Sequence, residues 1–330
     1  LNKGTASNGV QLAANNTTWT ISGNSFYETA SFAPTAAVTY NIVNVSDPLS
    51  TDISISGNYI GGNAASCVGT WTKTNAYNST FMAITMNVGH QVSVTSSVQN
   101  NTIKNFSWGN SSAVTWTAIN IPATATGNIN IGTTVGNIIG ETTGTGSITI
   151  TNGVNGNGDV YGIYLGGTGT IDCQNNSIGS ITAHNTSGFA TNFCGIYKAA
   201  VAGTTTISNN TIGGSSANSI NASATATLSQ KVYGINFLGT VATATISGNT
   251  IANLSNSGTE VNTTSVNGIM FTNDATNTID AITNNTIHDL TSSNASVGTG
   301  NSSSVIGISI IDVARWRQKN ISGNTIYNLT

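Results

Sequence analysis

The chain has 330 residues, and its 8 Lys plus Arg and 11 Asp plus Glu make only 6% of it charged, against about 25% in an ordinary soluble domain. A net charge of −3 supplies no basic footprint, which argues against nucleic acid and anionic membrane surfaces as partners. No apolar run approaches the roughly 18 residues of a membrane span, and 38% hydrophobic residues with a small net charge argue against disorder.

The opening Leu1-Asn2-Lys3-Gly4 has no apolar core of a signal peptide and reads as the start of a mature or excised segment. Residues 1–20 read as an irregular lead-in or partial coil of a single domain covering 1–330. From Ile21 onward one hexapeptide recurs: apolar, small polar, Gly or Asn, Asn, any residue, apolar. It reads Ile21-Ser22-Gly23-Asn24-Ser25-Phe26, then Ile55 to Ile60, Val98 to Ile103 and, degraded, Thr134 to Ile139. Cys173 to Ile178, Ile207 to Ile212, Ile246 to Ile251, Ile282 to Ile287 and Ile321 to Ile326 follow. The fourth-position residues Asn24, Asn58, Asn101, Asn137, Asn176, Asn210, Asn249, Asn285 and Asn324 are 34–43 residues apart.

A second marker keeps the same rhythm: Gly162-Ile163, Gly195-Ile196, Gly234-Ile235, Gly268-Ile269 and Gly307-Ile308, with Ala83-Ile84 and Ala118-Ile119 as weaker early copies. Each unit reads as a β segment at Gly-Ile, a Gly/Thr-rich turn, a second β segment entering the hexapeptide, and a Ser/Asn/Thr-rich loop. Around Thr243-Ala244-Thr245-Ile246 the alternation has period two. Units this short must stack on their neighbours to bury a face. The repeated Asn suits a corner, where it tolerates left-handed backbone, and identical Asn side chains bond one another when coils stack. The hexapeptide Ile residues are expected in one inward column. The Gly before Ile requires positive φ or close backbone approach. The fold expected is all-β, a parallel β-helix of about nine coils and about 43 Å in length at strand spacing. Taken two at a time, the Asn spacings from Asn101 are 75, 73 and 75 residues, which predicts a two-coil superrepeat with long and short loops alternating up one side.

The units Ile246-Ser247-Gly248-Asn249-Thr250-Ile251 and Tyr161-Gly162-Ile163-Tyr164 resemble the right-handed parallel β-helix repeat of the pectate-lyase-like superfold, over residues 20–330. They are also similar to the Asn/Thr/Gly-rich repeat regions of large secreted bacterial surface proteins. The resemblance implies a right-handed solenoid outside the cell or on its surface. Enzymes of that superfold use Ca²⁺-binding carboxylates with a Lys or Arg base, or clustered Asp residues as acid and base.

Grouped ionisable residues of that kind are not legible here. No Asp-Asp pair occurs, and Asp172 and Asp280 fall near corresponding positions but three coils apart, about 14 Å. His90, His184 and His288 have no second His or Cys at zinc-ligand spacing, so no metal, cofactor or catalytic set is assigned. Cys67, Cys173 and Cys194 read as small buried residues, with a Cys173–Cys194 bridge open to geometry. Arg315-Trp316-Arg317-Gln318-Lys319 reads as a polar cover over the last coil or, through Arg315, Trp316, Arg317 and Lys319, as a contact for a glycan or an acidic partner. The pairs Thr168/Thr170, Thr204/Thr206 and Thr243/Thr245 resemble the flat faces of ice-binding β-helices, or reflect ordinary β-propensity. Asn-x-Ser/Thr sequons such as Asn78-Ser79-Thr80 are too frequent in this composition to assign glycosylation.

The reading that follows is a structural or adhesive extracellular segment that is not an enzyme. A polysaccharide-binding or polysaccharide-degrading β-helix is the alternative, and a groove lined by Trp, Tyr and two acids would favour it. Ile21 and Ile326 lie so near the ends of the sequence that the rod is expected to continue, in a longer parent chain or by head-to-tail stacking into a filament.

Overall fold

The computed structural model describes the chain apart from residues 2, 75, 92, 113, 154–157, 225–229, 259–264, 274–278, 294–303 and 312–317. Three sheets of 9, 9 and 14 strands wrap one core, and successive coils add one strand to each of the first two sheets. One coil illustrates the path: Gly158–Leu165 in the first sheet, Thr170–Gln174 in the second, then Ser177–Gly179 and Ile181–Asn185 in the third. Every strand is paired in parallel to its equivalent one coil away, as in Ile163–Ile196–Ile235–Ile269–Ile308. The molecule is a parallel β-helix of nine coils. Residues 7–12 already form a strand stacked on the next coil, Ser7 against Tyr40.

The hexapeptide supplies the corner between the second and third sheets. Its first two residues close a second-sheet strand and its last two open a third-sheet strand, so its apolar residues form two inward columns instead of the single one expected. Ile55, Val98, Ile131, Cys173, Ile207 and Ile246 make the first column, and Ile60, Ile103, Ile139, Ile178, Ile212 and Ile251 the second; all are fully buried. Thr134 opens the degraded copy, but Ile131 takes the column position, paired with Val98 and Cys173. The chain turns early there because Gly132 takes φ +76°, and Thr133 to Gly136 bulge outward before Asn137.

Left-handed backbone lies at the third hexapeptide position, not at the fourth as expected. Gly57, Asn100, Asn175, Asn209, Gly248 and Asn284 have φ between 53° and 66°, which explains why only Gly and Asn appear there in the intact copies. The turn at position three aims the fourth side chain inward. Each fourth-position Asn then accepts on Oδ1 from the Nδ2–H of the preceding rung, at 2.8–3.0 Å across all eight steps from Asn24 to Asn324. The same Oδ1 accepts the preceding rung's backbone N–H, for example Asn101 N–H to Asn137 at 3.0 Å. The remaining Nδ2–H is donated backward, as from Asn101 to Ile55 O at 3.0 Å.

The two sequence markers meet in space. A Cβ on Gly234 would lie 2.5 Å from Ile251 Cγ2 and 2.6 Å from Gly268 O, and the same holds for Gly195 against Ile212 and Gly268 against Ile287. Close approach, not positive φ, is therefore what the Gly-Ile pair requires: the glycine is the floor on which the last hexapeptide Ile sits.

The superrepeat is present over the second to seventh coils as excursions from the third sheet, and the eighth coil breaks it, its strand Thr286–Ser292 running straight through. Residues 61–70, 141–147 and 213–219 leave it on the second, fourth and sixth coils, while the coils between turn within two residues. The fourth- and sixth-coil excursions bond each other across the intervening coil, Ser215 N–H to Thr142 O at 2.9 Å and Gly144 N–H to Ser216 Oγ at 2.8 Å.

Between the second and fourth coils the core is aromatic. Trp71, Phe81, Phe106, Trp108 and Trp116 are at most 2% exposed and lie with ring centroids 4.7–6.1 Å apart. A second, shorter inward Asn column runs beside them, with Asn110 Nδ2 donating to Asn152 Oδ1 at 3.1 Å. The Lys73 ammonium caps it, donating to Asn110 Oδ1 at 3.0 Å, to Tyr77 O at 2.7 Å and to Gly109 O. Cys67, Cys173 and Cys194 are buried free thiols, so the Cys173–Cys194 bridge is not formed.

Candidate functional site

The Gly-Ile bend has a consequence for the outer surface. In the first sheet the alternation slips at each glycine, so two side chains per strand face outward on either side of it: Tyr161 and Tyr164 flank Gly162-Ile163. Parallel pairing stacks these positions into columns, Tyr161–Cys194–Tyr233 and Tyr164–Tyr197–Asn236. Tyr164 and Tyr197 are stacked at 5.2 Å and 24°, and Tyr161 packs against both, at 5.3 and 5.2 Å.

A third outward column borders the rings. Asn192 Nδ2 donates to Asp159 Oδ1 at 3.0 Å, Lys231 N–H donates to Asn192 Oδ1 at 2.9 Å, and Lys231 Nζ reaches Ser265 Oγ at 3.2 Å. Rings and polar column enclose a groove of about 220 Å³ over the fifth to seventh coils. A shallower hollow of about 390 Å³ continues it toward the third coil and shares Tyr161 with it.

Burial sets the protonation of the groove's side chains. Burial, with Asp159 and Cys194 nearby, raises the Tyr233 phenol to about 12. Burial likewise raises Tyr161, Tyr164 and Tyr197, so the four hydroxyls stay protonated and act as donors as well as acceptors. Burial lowers Lys231 and raises the Cys194 thiol, which leaves Cys194 a poor nucleophile. The groove holds one carboxylate, Asp159, whereas acid–base cleavage of a glycosidic bond calls for a pair. Among the described residues no three His, Cys, Asp or Glu side chains cluster as metal ligands.

The residues singled out from the sequence are spread elsewhere. The seven ladder asparagines from Asn58 to Asn285 lie buried inside the corner and present no ligand surface, while the end rungs Asn24 and Asn324 are exposed and half-buried, respectively. Arg315, Trp316 and Arg317 lie outside the described residues. Lys319 pairs in register with Asp280, and its Nζ lies 5.6 Å over the Phe271 ring. Asp280 is 2% exposed and accepts from Asn273 Nδ2 at 2.8 Å. Asp172 aligns instead with Thr206, Thr245 and Ala281. It is one residue out of register with Asp280 and so on the opposite face of the sheet; the two acids do not correspond. Thr170, Thr204 and Thr243 form one outer column and Thr206 and Thr245 the next, ended by Ile279 and Ala281. His184 Nδ1 meets Ser223 Oγ at 2.7 Å, and His288 Nδ1 meets Asp289 Oδ2 at 2.6 Å under a stacked Tyr327.

The tyrosine groove was missed although its signal stood in the repeat. Val160-Tyr161-Gly162-Ile163-Tyr164 and Val232-Tyr233-Gly234-Ile235 place Tyr on the flanks of the glycine, and a bend at that glycine puts both flanks outside. Compared with known protein families, with curated proteins and with solved structures, the chain has no significant match.

Proposed function

We propose that the chain is a structural and adhesive segment of an extracellular or cell-surface protein, a rod whose task is to hold its length and present its faces. The observation that carries this reading is the Asn ladder, continuous over nine rungs from Asn24 to Asn324. It satisfies buried amide groups at every coil and makes each coil a template for the next. The rod then continues in further coils, of a longer chain or of another copy stacked head to tail. Two experiments test this. Antibodies raised against the chain should label intact source cells without permeabilisation; labelling only after permeabilisation contradicts the placement. Light scattering of the 330-residue chain should show concentration-dependent growth, or a longer form should image as a strand in negative stain. A monodisperse monomer at high concentration with both end coils protected from hydrogen exchange contradicts continuation.

A second reading, polysaccharide binding, is favoured by the tyrosine groove. With a single lining carboxylate, the reading is of binding without cleavage. Purified protein incubated with neutral or acidic polysaccharides should release no product. Release that is lost in Asp159→Asn would make the chain an enzyme and overturn this point.

A further inference from the structure

We propose that the outer face of the first sheet, over the third to seventh coils, is a groove for an uncharged glycan chain lying along the rod axis. This rests on the polysaccharide reading above and names its ligand. Three observations converge.

The first is shape. The enclosed groove and the hollow beside it share Tyr161, so together they form one trough. It is built from equivalent positions of stacked coils, and a linear polymer aligned with the stack meets the same kind of side chain at each step. The second is the surface of the trough. Tyr161, Tyr164 and Tyr197 pack ring against ring, which fixes their rotamers before any ligand arrives. Rigid, half-buried rings offer the C–H faces of sugars a platform at little entropic cost, and the protonated phenols bond hydroxyls at the rim.

The third is charge. The groove holds one carboxylate, Asp159, which accepts from Asn192 of the next coil, and one ammonium, Lys231, which reaches Ser265 Oγ. A uronate or sulfated polymer needs several cations along its path, and here every acidic unit passing Asp159 would be repelled. Sugar hydroxyls, in contrast, give to Asp159 and Asn192 Oδ1 and receive from Lys231. The occupant that fits is neutral.

The experiment is affinity electrophoresis of the full chain through gels containing xylan, mannan, a mixed-linkage glucan or galactan, and through gels containing polygalacturonate or alginate. At least one neutral polymer is expected to retard the chain, with affinity unchanged between low and high salt, since no ion pair is screened. The acidic polymers are expected not to. Tyr197→Ala should weaken retardation about tenfold, the loss of one stacking platform. Tyr197→Phe should retain most of it, and Tyr59→Ala, on the third sheet, should leave it unchanged. Circular dichroism melts confirm that each variant is folded. Should Tyr197→Ala melt early, Tyr164→Ala and Asp159→Asn serve in its place. Retardation by acidic polymers alone would overturn the neutral ligand while leaving polysaccharide binding standing. No retardation in any gel, or equal loss in Tyr59→Ala, would overturn both.

Discussion

Asn176 shows what a ladder residue contributes. Its Oδ1 accepts from Asn137 N–H and Nδ2–H, and its Nδ2 donates to Asn210 Oδ1 and to Ile131 O. Asn176→Ala would leave the Asn137 backbone N–H and one Asn137 Nδ2–H without partners, at about 1–3 kcal/mol for each orphaned group, and would take one of two donors from Asn210 Oδ1. It should therefore destabilise by several kcal/mol, read as the fall in free energy of chemical unfolding; a change within 0.5 kcal/mol, the range of surface substitutions, contradicts the ladder. Gly234→Val probes the other marker. Its Cβ would meet Ile251 Cγ2 at 2.5 Å and Gly268 O at 2.6 Å, and the carbonyl belongs to a strand pinned on both sides. Loss of folded yield, or a cost of more than about 3 kcal/mol from overpacking, is expected, and an unchanged melting temperature contradicts the contact. Two interior lysines make a contrasting pair. Burial lowers both Lys198 and Lys73 to about 8 from an ordinary 10.5, but Lys73 has three oxygen acceptors and Lys198, among the described residues, only Gly167 O at 3.0 Å. A depressed amine pKa means that the native state sheds its proton first. The penalty is fully present below about 8, and stability rises with pH from there to about 10.4, where the unfolded chain also deprotonates. Lys198→Met should remove its own share of that rise, about half of what the two lysines produce together, and stabilise the protein at neutral pH by about 2–3 kcal/mol. Lys73→Met should destabilise, because it removes one donor each from Tyr77 O, Gly109 O and Asn110 Oδ1. If the pH profile of Lys198→Met matches that of the parent, Lys198 is not the buried charge described here.

At the scale of the element, the corner explains both what the sequence made legible and what it concealed. Asn at position four and Ile at positions one and six recur because three different constraints meet in six residues, and a constraint repeated nine times is visible without an alignment. The left-handed turn was assigned to position four because Asn is invariant there; yet position three is always Gly or Asn, which is the pattern of positive φ. Counting back three residues from Asn137 reaches Thr134 instead of Ile131 because it ignores the bulge that Gly132 starts. The aromatic core of the early coils left no mark in the repeat, since Trp71, Phe81, Phe106 and Trp108 stand outside both markers. The tyrosine groove needed the outward slip at Gly162, which hydrophobic period alone does not reveal. Two element-level changes separate core from decoration. Ile246→Asp puts an unpaired charge into a column that is fully buried and should cost several kcal/mol, seen as loss of cooperative melting. Replacing residues 141–147 by a single Ser copies the tight turn at Ser180. It removes only loop bonds and the Lys104–Glu141 ion pair at 2.6 Å, so it should cost about 1–2 kcal/mol and leave the melt cooperative; collapse of the fold would show that the excursions are structural.

At the scale of the whole molecule, the features argue for one purpose at every coil. Charge is scarce because each coil contributes mostly inward apolar residues, inward amides, and short polar side chains on flat outer faces. The ladder runs with one polarity from end to end, each Asn giving to the next, so every coil offers its successor the same acceptor. That property suits the extended scaffold proposed above, and the first-sheet trough is the face on which the proposed glycan would lie. The measurement that tests the stacked register most directly is residue-resolved hydrogen exchange of the ladder amides. The account predicts that the backbone N–H groups of Asn58, Asn101, Asn137, Asn176, Asn210 and Asn249, each donated to the next rung's Oδ1, exchange as slowly as the core strands and far more slowly than residues 141–147. Ladder amides that exchange as fast as that excursion would contradict it.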